Sequence, residues 1–199
     1  MNNKEYLDDT LKLWNYAVSE LEEMQNFFSF DKLNDHFYRR IILRNLFAII
    51  ETYLFISREL VRIKIAIDGN TENISWQEQS LLVEKKVGLN SNGKVIEKDE
   101  FQSFIPAFRF TITIFSKTFG VEPPDFGNNH FGVLQALVKR RNDVTHPKSY
   151  SDVKITDQEI KDLIPMYGWF MNIHGKTYKH LLKWLELVYP TLIKNQTQE

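Results

Sequence analysis

Residues 35–68 read DHFYRRIILRNLFAIIETYLFISRELVRIKIAID, and this stretch decides the fold class. Ile42, Leu46, Ile49, Tyr53, Ile56, Leu60, Ile63 and Ile67 alternate steps of four and three without a miss, the spacing that lines one face of an α-helix. Phe47, Ile50, Leu54 and Val61 widen the stripe into a face broad enough to be buried in a bundle. Asp68-Gly69-Asn70 closes it. A helix of that length is long for a globular protein and suits a helical bundle. It does not read as a membrane span, because its most apolar window, Ile41 to Ile56, is interrupted by Arg44, Asn45, Glu51 and Thr52.

The same period continues on either side. Leu7, Leu11, Trp14, Val18 and Leu21 predict a first helix over about 4–26. Ser75 and Glu78 form a capping box ahead of a short helix near 76–87, which Gly88 stops, and Asn90-Ser91-Asn92-Gly93 reads as a turn. Residues 69–100 are therefore an excursion between core helices two and three of one domain, 1–199. Phe101, Phe108, Ile112, Phe115 and Phe119 predict a third core helix near 101–118, with Pro106 early in it or bending it. A loop follows from Gly120 to Asn129, then a fourth helix over about 130–143 with Val133, Leu134, Leu137 and Val138 on its apolar side. Thr156-Asp157-Gln158-Glu159 caps a last helix whose apolar positions run from Ile160 to Leu192, with Pro165, Gly168 and Gly175 predicted to kink or split it. No alternating strand pattern appears apart from the brief Thr111-Ile112-Thr113-Ile114. The expectation is an all-α, up-and-down bundle of four to five core helices.

Composition agrees. The 199 residues contain only 8 Gly and 6 Pro, few punctuators for many short strands, and 43% are hydrophobic, enough to bury a core. With no cysteine there is no disulfide framework, thiolate metal site or cysteine nucleophile. The acidic N-terminus lacks the apolar segment of a signal peptide, so the chain reads as cytoplasmic, with no membrane partner. The net charge of −1 excludes a generic polycation, but the charge is uneven. Residues 36–67 carry six Lys/Arg against two Asp/Glu, and residues 136–150 carry four against one. If these two blocks pack together, a nearly neutral protein acquires one basic surface.

The second basic block contains Lys139-Arg140-Arg141-Asn142-Asp143-Val144-Thr145-His146-Pro147. Pro147 biases His146 away from helical geometry, so the helix should end between Asn142 and Thr145. On a continuous helix residues five apart lie roughly 140° apart, and only a break lets His146 swing back beside Arg141. Arginine offers a fork of donors for a phosphate, and histidine can exchange a proton near neutral pH. Together they can cleave RNA without a metal or other cofactor.

Arg141-Asn142-x-x-x-His146 resembles the Arg-x4-6-His signature of the HEPN superfamily (higher eukaryotes and prokaryotes nucleotide-binding), small helical bundles whose signature follows a late core helix. Leu46 to Leu54 is similar to the long early helix of several HEPN groups, which carries an acidic or polar residue facing the site, here Glu51. The resemblance implies metal-independent cleavage of RNA, as in toxin and defence proteins, by a homodimer whose two motifs face one another. Arg141 would clamp the phosphate, His146 would serve as base or acid, and Asn142 would orient the phosphate or hold His146. Glu51, Asp143 and Thr145 would support them, and Arg44, Arg58, Lys139, Arg140 and Lys148 would meet the RNA backbone. An antitoxin of nucleotidyltransferase type is an implied partner. Other HEPN proteins only bind nucleotides or scaffold partners, so a non-catalytic binding or regulatory module is the alternative.

Plainer readings stand beside these. The motif also reads as a solvated helix end whose cations meet the helix dipole. Arg44, Glu51 and Arg58, seven residues apart, read equally as a polar rail. Arg39 and Arg40 either touch RNA or mark a solvated helix end. His174 falls on the apolar seam of the last helix and reads as a hydrogen-bonded core residue. His36, His130 and His180 have no partner at metal-ligand spacing, and no phosphate-binding loop, dinucleotide fingerprint or serine-hydrolase elbow is present.

Overall fold

Asp35 begins the central helix by accepting the backbone N–H of Phe37 at 2.7 Å. The helix ends where Gly69, at φ +65°, turns its N–H back to the carbonyl of Ile65. The structure, a computed structural model, describes residues 3–28, 30–69, 74–99 and 102–196. Its helices are α1 (Asn3–Met24), a single turn α2 (Phe30–Leu33), α3 (His36–Asp68), α4 (Trp76–Leu82), α5 (Phe104–Phe119), α6 (Asn129–Thr145) and α7 (Asp157–Gln196). Short 3-10 turns occupy Gln25–Phe28 and Tyr150–Val153. The fold is an all-α helical bundle built around α3, which packs against α1, α5 and α6, while α7 packs against α5 and α6. The periodic positions of α3 from Ile42 to Ile63 are buried, and they meet Trp14 and Leu21 of α1, Phe108 and Phe115 of α5, and Phe170 of α7 in one core. Among the described residues no helix is long and apolar enough to cross a membrane.

Two expectations are corrected. The helix near 76–87 stops at Leu82, and Gly88 lies inside a strand instead of ending a helix. Glu84 adopts φ +50°, and the chain turns into an antiparallel hairpin of β1 (Lys85–Leu89) and β2 (Val95–Asp99), with Lys85 opposite Asp99 and Leu89 opposite Val95. Leu89 and Val95 are each 70% exposed, so the face they share is left in solvent and imposes no alternating pattern. The turn at 90–93 forms as read: Asn90 Oδ1 accepts the N–H groups of Asn92 and Lys94, and Gly93 takes φ +71°.

Of the two outcomes expected for α7, splitting does not occur, and the helix runs unbroken from Asp157 to Gln196. Pro165, Gly168 and Gly175 all sit on its solvent side, while Leu163, Met166, Phe170, Ile173 and Leu181 are buried. Packing of that face holds the helix through residues that would weaken it in isolation. The same tertiary override keeps the β-branched run 111–114 inside α5. Both expected capping boxes form, Ser75 with Glu78 and Thr156 with Glu159. Phe101 lies outside the described residues, as does the side chain of Leu192.

Candidate functional site

Asn128 caps α6 by accepting the N–H of Phe131, and the helix runs to Thr145, whose hydroxyl bonds back to the carbonyl of Arg141 at 2.7 Å. His146 is the capping residue, at φ −126° and ψ 63°, with its N–H on the carbonyl of Asn142 at 2.9 Å. Pro147 thus has the predicted effect of ending the helix at its neighbour. No hydrogen bond or ion pair joins Arg141 to His146 among the described residues, and His146 is exposed. Asn142 is exposed and Asp143 half-buried.

Arg141 turns toward α3. Its Nη1 donates to Glu51 Oε1 at 2.9 Å, and its guanidinium carbon lies 5.3 Å from the ring centre of Phe47 and 5.8 Å from that of Phe104. Its Nε is buried and has no hydrogen-bond partner among the described residues. Phe47 reads from sequence only as part of the core stripe, and nothing in the sequence links Phe104 to Arg141. Beside this group is a cavity of about 340 Å³ whose wall includes Arg141, Glu51, Phe104, Arg58, Glu84 and Gln102.

The rail of seven-residue steps on α3 acquires three distinct partners. Arg44 donates to the carbonyl of Val144 at 2.6 Å, satisfying one of the open carbonyls at the end of α6. Glu51 holds Arg141. Arg58 is 8% exposed and pairs with Glu84 at 2.8 Å, so it presents no free basic surface.

The two basic blocks do pack together, but most of their arginines bind the chain itself. Arg39 Nη1 donates to the carbonyl of Ile155 at 2.8 Å, its Nη2 to Asp157 Oδ1 at 2.6 Å, and its Nε to the carbonyl of Leu33. Arg40 reaches the carbonyl of Val153 at 3.2 Å. Arg140 donates to the carbonyls of Ser151, Asp152 and Lys154, and its Nε lies 2.7 Å from Glu159. This arginine clamp fixes the segment that follows His146, a role that neither sequence reading of Arg39 and Arg40 contains. Within the segment, Asp152 accepts the N–H groups of Lys148 and Ser149 at 2.8 Å, bonds that hold its carboxyl below the usual range, that from Lys148 foremost. Hydrogen bonding and charge from Arg39 do the same to Asp157. Lys139 and the Lys148 side chain stay exposed, near the motif in sequence.

His174 is a core residue as read, and among the described residues its Nδ1 has no hydrogen-bond partner. Among the described residues no three His, Asp or Glu side chains converge as a metal site. No family model, curated protein or solved structure matches the chain.

Proposed function

We propose that this protein is a metal-independent endoribonuclease of HEPN type, working as a homodimer in which Arg141 clamps the scissile phosphate and His146 moves the proton. The supporting observation is the environment of Arg141. Most of the neighbouring arginines are bonded to backbone carbonyls, whereas Arg141 lines a cavity, steadied by Glu51 and two rings. A guanidinium steadied by one carboxylate oxygen and two rings beside a cavity keeps further N–H donors for a ligand, and phosphate oxygens suit that fork. In the reaction, a base takes the proton of the 2′-hydroxyl and the oxygen attacks phosphorus. The bond to the 5′-oxygen breaks, and an acid protonates the leaving alkoxide. The products are a 2′,3′-cyclic phosphate and a 5′-hydroxyl. Two facing copies supply two His146 rings, one for each proton transfer. Glu51 orients Arg141, and exposed Lys139 and Lys148 attract the backbone.

The test is incubation of mixed RNA with the wild type and with His146→Ala, in EDTA. Fragments ending in cyclic phosphate from the wild type alone are expected. Activity retained by His146→Ala sinks the assignment. Arg141→Lys should fail as well, since a point charge does not replace the fork.

A second reading, a non-catalytic nucleotide- or RNA-binding module, is favoured by the lack of any bond between Arg141 and His146 within one chain. Salt-sensitive RNA retention without cleavage selects it. The antitoxin partner belongs to the nuclease reading, in which overexpression is toxic and His146→Ala relieves the toxicity.

A further inference from the structure

Between α5 and α7, beneath the loop that follows α5, lies a second cavity of about 180 Å³ that shares no residue with the Arg141 cavity. Ser116 lines it, is 4% exposed, and has a buried hydroxyl without a partner among the described residues. A buried hydroxyl of this kind is unfavourable unless something completes its bonding. Val121, Ile173 and Trp169 are the apolar part of its lining. Glu122, Asp125 and Lys176 are also in the lining, and all three are exposed. Asp125 Oδ1 accepts the N–H of Gly127 at 2.7 Å. Among the described residues neither Glu122 nor Lys176 forms an ion pair, although side chains of opposite charge line one small cavity.

Unpaired opposite charges beside an apolar wall define the complement. The volume falls below the roughly 300–1,000 Å³ of drug-sized sites, so the ligand is a single small building block. Two carboxylates against one ammonium repel a phosphate. We infer that this cavity binds a free α-amino acid with an apolar side chain. Glu122 and Asp125 receive its ammonium, Lys176 receives its carboxylate, the side chain packs against Trp169, Val121 and Ile173, and Ser116 gains its missing bond.

Calorimetric titration of the full chain with L-leucine, L-methionine and L-phenylalanine tests this. N-acetyl-L-leucine, which lacks the ammonium, and L-leucinamide, which lacks the carboxylate, serve as comparisons. At least one free amino acid should bind, and each neutralised analogue of leucine should bind at least roughly tenfold more weakly, the loss of one charge-assisted hydrogen bond. Lys176→Gln, an exposed change that leaves the core alone, should bind leucine and leucinamide alike. Ser116→Ala should fold and bind roughly tenfold more weakly than the wild type. The inference is overturned if no amino acid binds the folded wild type at millimolar concentration. It also falls if the neutralised analogues bind equally well, if Lys176→Gln still discriminates, or if inorganic phosphate occupies the site instead. None of these outcomes bears on the Arg141 site.

Discussion

His174 stands among the rings of Trp14, Tyr53 and Tyr178, at centroid distances of 5.4, 5.5 and 6.0 Å, and is 6% exposed. Among the described residues no carboxylate bonds to it, and desolvation pushes its imidazole down from 6.5 to about 4. The unfolded chain therefore takes up a proton below pH 6.5 that the folded chain refuses until about pH 4. The stability due to neutral His174 is complete above 6.5 and is lost as the pH falls through this window. At pH 5 the loss is about 2 kcal/mol, approaching about 3 kcal/mol near pH 4. Urea unfolding of the wild type and of His174→Phe at pH 7.5, 6 and 5 isolates the effect, because the carboxylates and the other histidines titrate alike in both proteins. The wild type should lose about 2 kcal/mol relative to His174→Phe between pH 7.5 and pH 5. Parallel curves for the two proteins refute the reasoning, since they mean that the folded state accepts the proton as readily as the unfolded chain.

Arg39→Met strands the carbonyls of Leu33 and Ile155, so unfolding in urea should show a loss of about 3 kcal/mol, with the 146–156 segment cut faster by protease. At Glu84, the one described non-glycine residue with positive φ, Ala and Gly both remove the bond to Arg58 but only Gly relieves the backbone. Glu84→Gly should therefore be more stable than Glu84→Ala by about 1 kcal/mol, and equal midpoints would contradict this. Glu51→Gln breaks a pair whose carboxylate side chain is 49% exposed, so stability should fall by less than about 1 kcal/mol. RNA cleavage should fall by at least roughly tenfold, because Arg141 loses its orienting partner; equal activity would remove Glu51 from the site.

The bundle was legible because burial writes a period into the chain. The Ile42-to-Ile67 stripe, the two capping boxes and Pro147 each carry their structural consequence in a few neighbouring residues. The hairpin at 85–99 was not legible, because the strand face carrying Leu89 and Val95 stays in solvent and needs no apolar alternation. The breakers of α7 do not divide it, for the opposite reason: Pro165, Gly168 and Gly175 are weak locally, but the face packed against the core decides.

At the candidate site the sequence alone brought out Arg141, His146 and the seven-residue rail carrying Glu51. It also determined that α3 is a long buried helix and that positive charge concentrates in two blocks. Only the tertiary structure decided how those charges are used. Arg39, Arg40, Arg44 and Arg140 look equivalent to Arg141 in composition, yet they meet carbonyls at the end of α6 and along 151–155, whereas Arg141 meets Glu51, Phe47, Phe104 and a cavity. Periodicity specifies which side of a helix is buried, because water and core differ everywhere along the chain. The partner of a given guanidinium depends on which distant backbone happens to pack across from it, and no local pattern encodes that.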